Sequence, residues 1–364
     1  MKTTACCSGI SFESCRFFRN SDVIYDEPLF FIASRQSPPV ARLLLKPLEI
    51  LKATDTAGNV EYVEGTDFEL DKTTGEVTLT AGTKIRFLNE TELYPDPEAP
   101  HSYPKKRNSK KYMLHSEDAF FTTFQPRFTY RHGGYDSLLP DSGYGSLPAL
   151  RTKLEKRGKI IIAVFGDSIS AGYNASGFMG IAPQQESQHG LFAAFLREHY
   201  KTEVILRNFS EGGKTAAWGN KNILRLLNVE ESPDLFILAW GMNDAGCKVR
   251  PEVFVTQIRE QMFLLNGKFP NAEFMLLSSM TANENWDYVK NEYLDSYGEG
   301  LKTLAGNGVL LADVTPAWKA VVKRKGFMSL TGNGLNHPND FGHRIYANIM
   351  INAILNNKSG VENE

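Results

Sequence analysis

The sequence predicts a doubly wound α/β domain built on a parallel sheet, preceded by a smaller β-sandwich-like domain. Three observations predict it. Short, nearly continuous apolar runs in the second half alternate with segments of helical pattern, the first third alternates apolar and polar residues singly, and a stretch rich in Gly, Pro and Ser separates the two textures.

The apolar runs are KIIIAVF from Lys159, EVILRNF from Glu203, LFILAW from Leu235, EFMLLSS from Glu273 and GVLLADV from Gly308. Runs of this length and texture mark strands buried on both faces, which parallel sheets require. Helical patterns follow from His189, Ala216, Pro251, Asn283 and, last, Asp340. Strands alternating with helices in this way fold into one sheet covered on both sides. In such sheets ligand chemistry collects at the carboxyl ends of the strands.

The first third reads differently. Phe68 and Leu70, then Val77 and Leu79, alternate with polar residues around the turn signal Thr74-Gly75, which predicts a hairpin. FQPRFTYRH repeats the alternation at Phe124, Phe128 and Tyr130. Between them NETELYPDPEAPHSYPKKRNSKK is too long and too polar for a tight turn and is expected as a loop. With the breaker-rich segment YDSLLPDSGYGSLPALRTKL, the expected organisation is a tail over 1–24, a β-sandwich-like accessory domain over 25–150 and a catalytic domain over 151–364.

Composition bounds the chemistry. The 364 residues are 42% hydrophobic and 23% charged, with a formal net charge of −2, which gives no reason to expect nucleic acid or an anionic membrane as partner. The basic run Lys105, Lys106, Arg107, Lys110 and Lys111 sits among Pro, Ser and Asn and is expected as a solvated loop. Four cysteines, three of them at Cys6, Cys7 and Cys15, do not make a disulfide framework. The histidines form no ligand pattern, so no metal and no cofactor is expected. Glu13, Arg16 and Arg19 interrupt the N-terminal apolar residues, so the sequence as it stands reads as cytoplasmic, and as secreted if that end is trimmed or mis-assigned.

Four segments carry chemistry. Gly166-Asp167-Ser168-Ile169-Ser170 follows the first apolar run, where a serine between strand and helix is lifted out of the sheet on a tight turn; alone, it reads equally as a helix cap. Asn208-Phe209-Ser210-Glu211-Gly212-Gly213 follows the second, with glycines that let a backbone N–H approach a ligand, or simply make a turn. Trp240-Gly241-Met242-Asn243-Asp244 follows the third, where an Asn amide suits a developing oxyanion or an Asx turn. Asn336-His337-Pro338-Asn339-Asp340 follows the fifth run and precedes the last helix.

Taken as a set, in the order Ser, Gly, Asn, His, these segments resemble the four blocks of the SGNH (GDSL-type) hydrolase family over about Lys159 to Asn357. The resemblance implies a flavodoxin-like sheet and a serine esterase. It implies Ser168 as nucleophile and His337 as general base, with an oxyanion hole made by the N–H groups of Ser168 and Gly213 and the amide of Asn243. Gly213 rather than Gly212 is implied because it stands five residues after Asn208. The family usually carries an Asp three residues before the His, and here Gly334 occupies that position.

Three substitutes stay open for that acid. They are Asp313 at the end of the fifth strand, Asp340 just after His337, and a backbone carbonyl of Asn333 or Gly334, with the carbonyl slightly preferred. The arrangement of a β domain ahead of the catalytic one is similar to that of some microbial carbohydrate esterases, which implies an O-acetyl group on carbohydrate as substrate. Lipid-ester or thioester hydrolysis, acyl transfer, and an inactive glycan-binding protein are the rivals. Trp218, Trp240, Trp286 and Trp318 suit sugar stacking, with core packing expected for most. Oligomeric state is not legible.

Overall fold

The computed structural model describes residues 21–134, save 105 and 108, and residues 143–356. Cys6, Cys7, Cys15, Lys105, most of the expected tail and residues 135–142 of the expected linker lie outside the described residues. The chain divides into two compact units: 1–138 with 174–187 and 321–344, and 139–173 with 188–320 and 345–364.

The second unit is built on the parallel sheet. Its strands are Ile160–Gly166, Val204–Asn208, Leu235–Ala239, Glu273–Leu277 and Val309–Ala312. Their order across the sheet is second, first, third, fourth, fifth, with the short antiparallel strand Gly143–Tyr144 beside the fifth. This is the flavodoxin-like order, and it places the topological switch point beside the first strand. Every residue of the first, third and fourth strands is buried, as apolar runs in a doubly covered sheet must be. Buried Glu273 is the exception in chemistry. Its carboxylate accepts the N–H groups of Ala149 and Leu150 at 3.0 and 2.8 Å, satisfying donors that the first turn of helix Pro148–Glu155 leaves open.

Three helical expectations change. The helix expected from Ala216 breaks into Ala216–Lys221 and Leu224–Leu227. The one expected from Asn283 starts only at Asn291, because the Asn283 carboxamide accepts the N–H of Asn285 at 3.0 Å in a local turn that competes with helix. A helix over Val314–Lys325, not anticipated, follows the fifth strand. Pro316 lies in its first turn, where a missing N–H costs nothing. His337 is therefore not at a strand end.

The first unit contains three- and five-stranded sheets. In the smaller, Arg127–His132 lies between Val23–Pro28 and Pro47–Thr54, antiparallel to both. In the larger, Phe68–Asp71 and Glu76–Leu79 form the expected hairpin, with Phe68 opposite Leu79 and Gly75 at φ +77° in its turn. Phe68 from one sheet meets Phe128 from the other edge to face, with ring centroids 5.1 Å apart. Phe124 belongs to a 3-10 turn, Phe121–Phe124, rather than to the strand. The expected polar loop contains a strand, Ser102–Tyr103, that pairs with Met113–Leu114.

Segment 321–344 is tied into this unit by a buried charge pair. Lys325 donates to Glu27, both side chains are fully buried, and Glu27 also accepts the Tyr130 hydroxyl at 2.7 Å and the Leu44 N–H at 2.7 Å. Burial holds the Lys325 ammonium below its ordinary value despite the Glu27 charge beside it. Among the described residues no helix is long and apolar enough to cross a membrane.

Candidate active site

Ser168 opens a single helical turn, Ser168–Ala171, directly after the first parallel strand. Asp167 caps that turn by accepting the Ile169 N–H at 3.0 Å, and Gly172, at φ +98°, ends it in the left-handed conformation. Gly166 is required by proximity. A Cβ there would lie 2.3 Å from the Ala239 carbonyl oxygen of the third strand. Ser168 itself is buried, with 4% of its surface exposed.

The loop after the second strand is laced to this turn, and the loop after the third strand is laced to that loop. The Glu211 N–H donates to the Gly166 carbonyl at 3.0 Å, and the Asn208 amide donates to the Ser170 carbonyl at 2.7 Å. The Asn243 Nδ2 donates to the Lys214 carbonyl at 2.9 Å. An amide carries two N–H donors, so this bond fixes the plane of the group and uses only one of them. Gly213 sits between these anchors at φ +75°, a conformation that glycine adopts without strain. Ser168, Gly213 and Asn243 thus stand on three loops that are bonded to one another at the switch point of one sheet.

Two buried carboxylates accompany them. Asp167 is pushed up to about 7 by burial, with the Asp244 charge adding to the shift and backbone N–H groups opposing it. Asp244 is likewise raised to about 7 by burial, and its carboxylate accepts the Ala216 N–H at 3.0 Å. Both act as acceptors for chain turns on the rim. Of the tryptophans, Trp240, Trp286 and Trp318 are buried and pack in the core, while Trp218 is half-buried beside Phe165.

His337 belongs to the other unit and is held by its own loop. The Asn333 carboxamide oxygen accepts the N–H groups of Leu335, Asn336 and His337 at 3.0, 3.0 and 3.1 Å. Gly332 donates its N–H to the His337 carbonyl at 2.9 Å. At Nδ1 of His337 stand two oxygens, Asn174 Oδ1 at 2.9 Å and Glu117 Oε2 at 3.1 Å. Asn174 is buried, and its Nδ2 faces the Gly332 carbonyl at 3.4 Å, which orients its oxygen toward the imidazole. Glu117 Oε1 accepts Asn333 Nδ2 at 3.1 Å and lies 3.6 Å from His115 Nε2.

Three of the groups weighed from sequence as supports for His337, Asp313, Asp340 and the Asn333 carbonyl, have other partners. Asp313 accepts the Ser278 hydroxyl at 2.7 Å and lies 3.5 Å from the Lys302 ammonium. Asp340 accepts the Ser176 N–H at 2.8 Å and pairs with Arg127 at 3.4 Å, and burial raises it against that charge. The Asn333 carbonyl meets His115 Nδ1 at 3.0 Å. Glu117 and Asn174 escaped the sequence reading, since neither lies in a recognisable pattern. Among the described residues no group of three or more His, Cys, Asp or Glu is arranged to hold a metal.

The family model described as GDSL-like Lipase/Acylhydrolase matches residues 164–345, half of the chain. Among curated proteins no sequence matches. Solved structures similar to this chain include a two-domain esterase active on acetylated mannans, at 18% identity and a TM-score of 0.45, covering 58% of this chain and 53% of that one. The chain thus spans about half the length of that enzyme. A lipolytic G-D-S-L family protein from Veillonella parvula is 17% identical over 53% of this chain and 96% of its own, with a TM-score of 0.42. An acetylxylan esterase from Geobacillus stearothermophilus is 18% identical over 56% and 95%, with a TM-score of 0.43.

Proposed function

We propose that this chain, which belongs to the GDSL-like lipase/acylhydrolase family, is a carboxylic ester hydrolase that cleaves its ester through an acyl-enzyme on Ser168, with His337 as base. The observation that carries this reading is the place of Ser168. It opens a turn at the switch point of the sheet, the loop bearing Gly213 is bonded to that turn, and the loop bearing Asn243 is bonded to the loop of Gly213.

In this mechanism Ser168 Oγ attacks the ester carbonyl carbon while its proton passes to Nε2 of His337. The carbonyl π pair moves onto oxygen, and the N–H groups of Ser168 and Gly213 with the Asn243 amide stabilise that oxyanion. Collapse breaks the bond to the alcohol oxygen, which leaves with the proton from His337. Water then attacks the acyl carbon, giving one proton to His337. The bond to Ser168 Oγ breaks, the proton returns to it, and the carboxylic acid departs. No redox partner is needed.

The substrate we propose is a short acyl ester, an O-acetyl group on carbohydrate. The near-complete burial of Ser168 favours a small acyl group, and a sheet-rich domain ahead of the hydrolase domain fits an extended sugar chain. The test is a panel of 4-nitrophenyl esters from acetate to octanoate beside acetylated oligosaccharides, with Ser168→Ala as the blank. Acetyl esters should be hydrolysed best, and acetate should be released from the sugars. A preference for octanoate with no acetate release would assign the enzyme to lipid esters instead.

A further inference from the structure

The position where an acid would normally precede the histidine is closed to any side chain. Gly334 has φ +84°, and a Cβ on it would lie 2.5 Å from the Leu114 carbonyl oxygen and 2.6 Å from the Phe121 ring. Both obstacles belong to the segment that carries Glu117, which runs from strand Met113–Leu114 to the turn Phe121–Phe124. The segment that excludes an acid at 334 therefore delivers another one three residues beyond Leu114.

We propose that Glu117 is the positioning carboxylate of His337, supplied by the N-terminal domain in place of the missing acid. This rests on the reading of His337 as the base. Its Oε2 lies 3.1 Å from Nδ1, and Asn174 Oδ1 lies 2.9 Å from the same nitrogen. Two acceptors facing Nδ1 place the imidazole proton there and leave the lone pair on Nε2, the tautomer a general base requires. Of the two acceptors only Glu117 carries charge, so it alone stabilises the imidazolium that forms when His337 takes the serine proton.

Glu117 is suited to keep that charge. Burial works against it, but the hydrogen bond with His337, the positive charge of that ring when protonated and the Asn333 amide together hold its carboxyl below the ordinary value. The Asn333 side chain couples the pair, since its oxygen orders the backbone up to His337 while its Nδ2 holds Glu117 Oε1. Among the described residues His115 also faces this pair, and burial holds its imidazole below its ordinary value. Half of the Glu117 side chain remains exposed, so replacing it does not open a buried core.

The experiment compares Glu117→Gln, Glu117→Asp and Asn174→Ala with the wild type in the full chain, using 4-nitrophenyl acetate across the pH range and thermal melts as a folding control. Neutralising a triad aspartate costs about 10⁴ in kcat; a second, neutral acceptor blunts the loss here, so Glu117→Gln should cost on the order of 10²–10³ with KM little changed. The rising limb of its kcat/KM profile should move to lower pH, because a negative charge beside the imidazolium is gone. Glu117→Asp should recover part of the rate. Glu117→Gln with wild-type kcat and an unmoved profile would overturn the proposal, as would a larger loss in Asn174→Ala than in Glu117→Gln. Ser168→Ala and His337→Ala, run alongside, separate the two failures. If they are inactive while Glu117→Gln is not, only the role of Glu117 falls; if they remain active, the reading of the whole site falls with it.

Discussion

Near Ser168 two carboxylates, Asp167 and Asp244, are buried and pushed up to about 7 by that burial, each accepting backbone N–H groups at the start of a short turn. Beside His337 the carboxylate of Glu117 is half-exposed, meets an imidazole, and is held below its ordinary value. The same functional group is thus a structural acceptor in one region and an ionic partner in the other. Burial without a cation penalises the charged form, whereas a nearby histidine and amide favour it. The two regions also differ in how they are held. The serine turn is fixed by neighbours in its own sheet, whereas the histidine ring, beyond the bonds of its own loop, meets residues far away in sequence, Asn174 at 163 positions and Glu117 at 220.

That second difference makes the anchor of the histidine segment the most sensitive place to break the comparison. Glu27→Ala removes the partner of buried Lys325 together with the acceptor of the Tyr130 hydroxyl and the Leu44 N–H. Removing one member of a buried pair costs about 3–5 kcal/mol. Chemical denaturation should show a loss of that order. A loss below about 1 kcal/mol, the value of an exposed pair, would show that the segment is held by something else.

The serine side predicts a kinetic effect instead. Losing one preorganised oxyanion donor costs about 10²–10³ in kcat, or roughly 3–4 kcal/mol. Asn243→Ala should therefore lower kcat by that factor with little change in KM. A raised KM at constant kcat would make Asn243 a substrate-binding or loop-supporting residue through its bond to Lys214.

Legibility followed the same division. The five strands, the hairpin at Gly75 and the placement of Ser168, Gly213 and Asn243 beyond strand ends were readable because each rests on pattern or spacing within a short stretch of chain. The helix at Val314–Lys325 was not, since it begins directly on the apolar run of the fifth strand with no break between them. The partners of His337 were not readable either. Glu117 stands in HSEDAF, a polar stretch without periodicity, and Asn174 in a turn at φ +61°. Only tertiary packing brings their oxygens to one nitrogen. Gly334 was the one local clue, since an empty position says that a partner is missing but not which residue replaces it.

The raised carboxylates give the smallest expected effect, and a pH-dependent one. An unfolded aspartate titrates near ~3.9, so between that value and about 7 the folded chain binds more protons than the unfolded chain. Stability from this source is complete at low pH and is lost as pH rises through the window. Thermal melts should fall from pH 5 to pH 8, and Asp244→Asn, which keeps an acceptor for Ala216, should flatten part of that fall. An unchanged slope in the variant would show that Asp244 is not held protonated.

The claim on which the rest depends is that Ser168 is the activated nucleophile. A fluorophosphonate probe reacts only with a serine whose proton is taken by a base and whose oxyanion is stabilised. Labelling the folded chain and mapping the modified peptide by mass spectrometry therefore tests the claim directly. The expected result is one modification, on the peptide carrying Gly166-Asp167-Ser168, absent from Ser168→Ala. Labelling of another serine, or labelling that persists in Ser168→Ala, would contradict it.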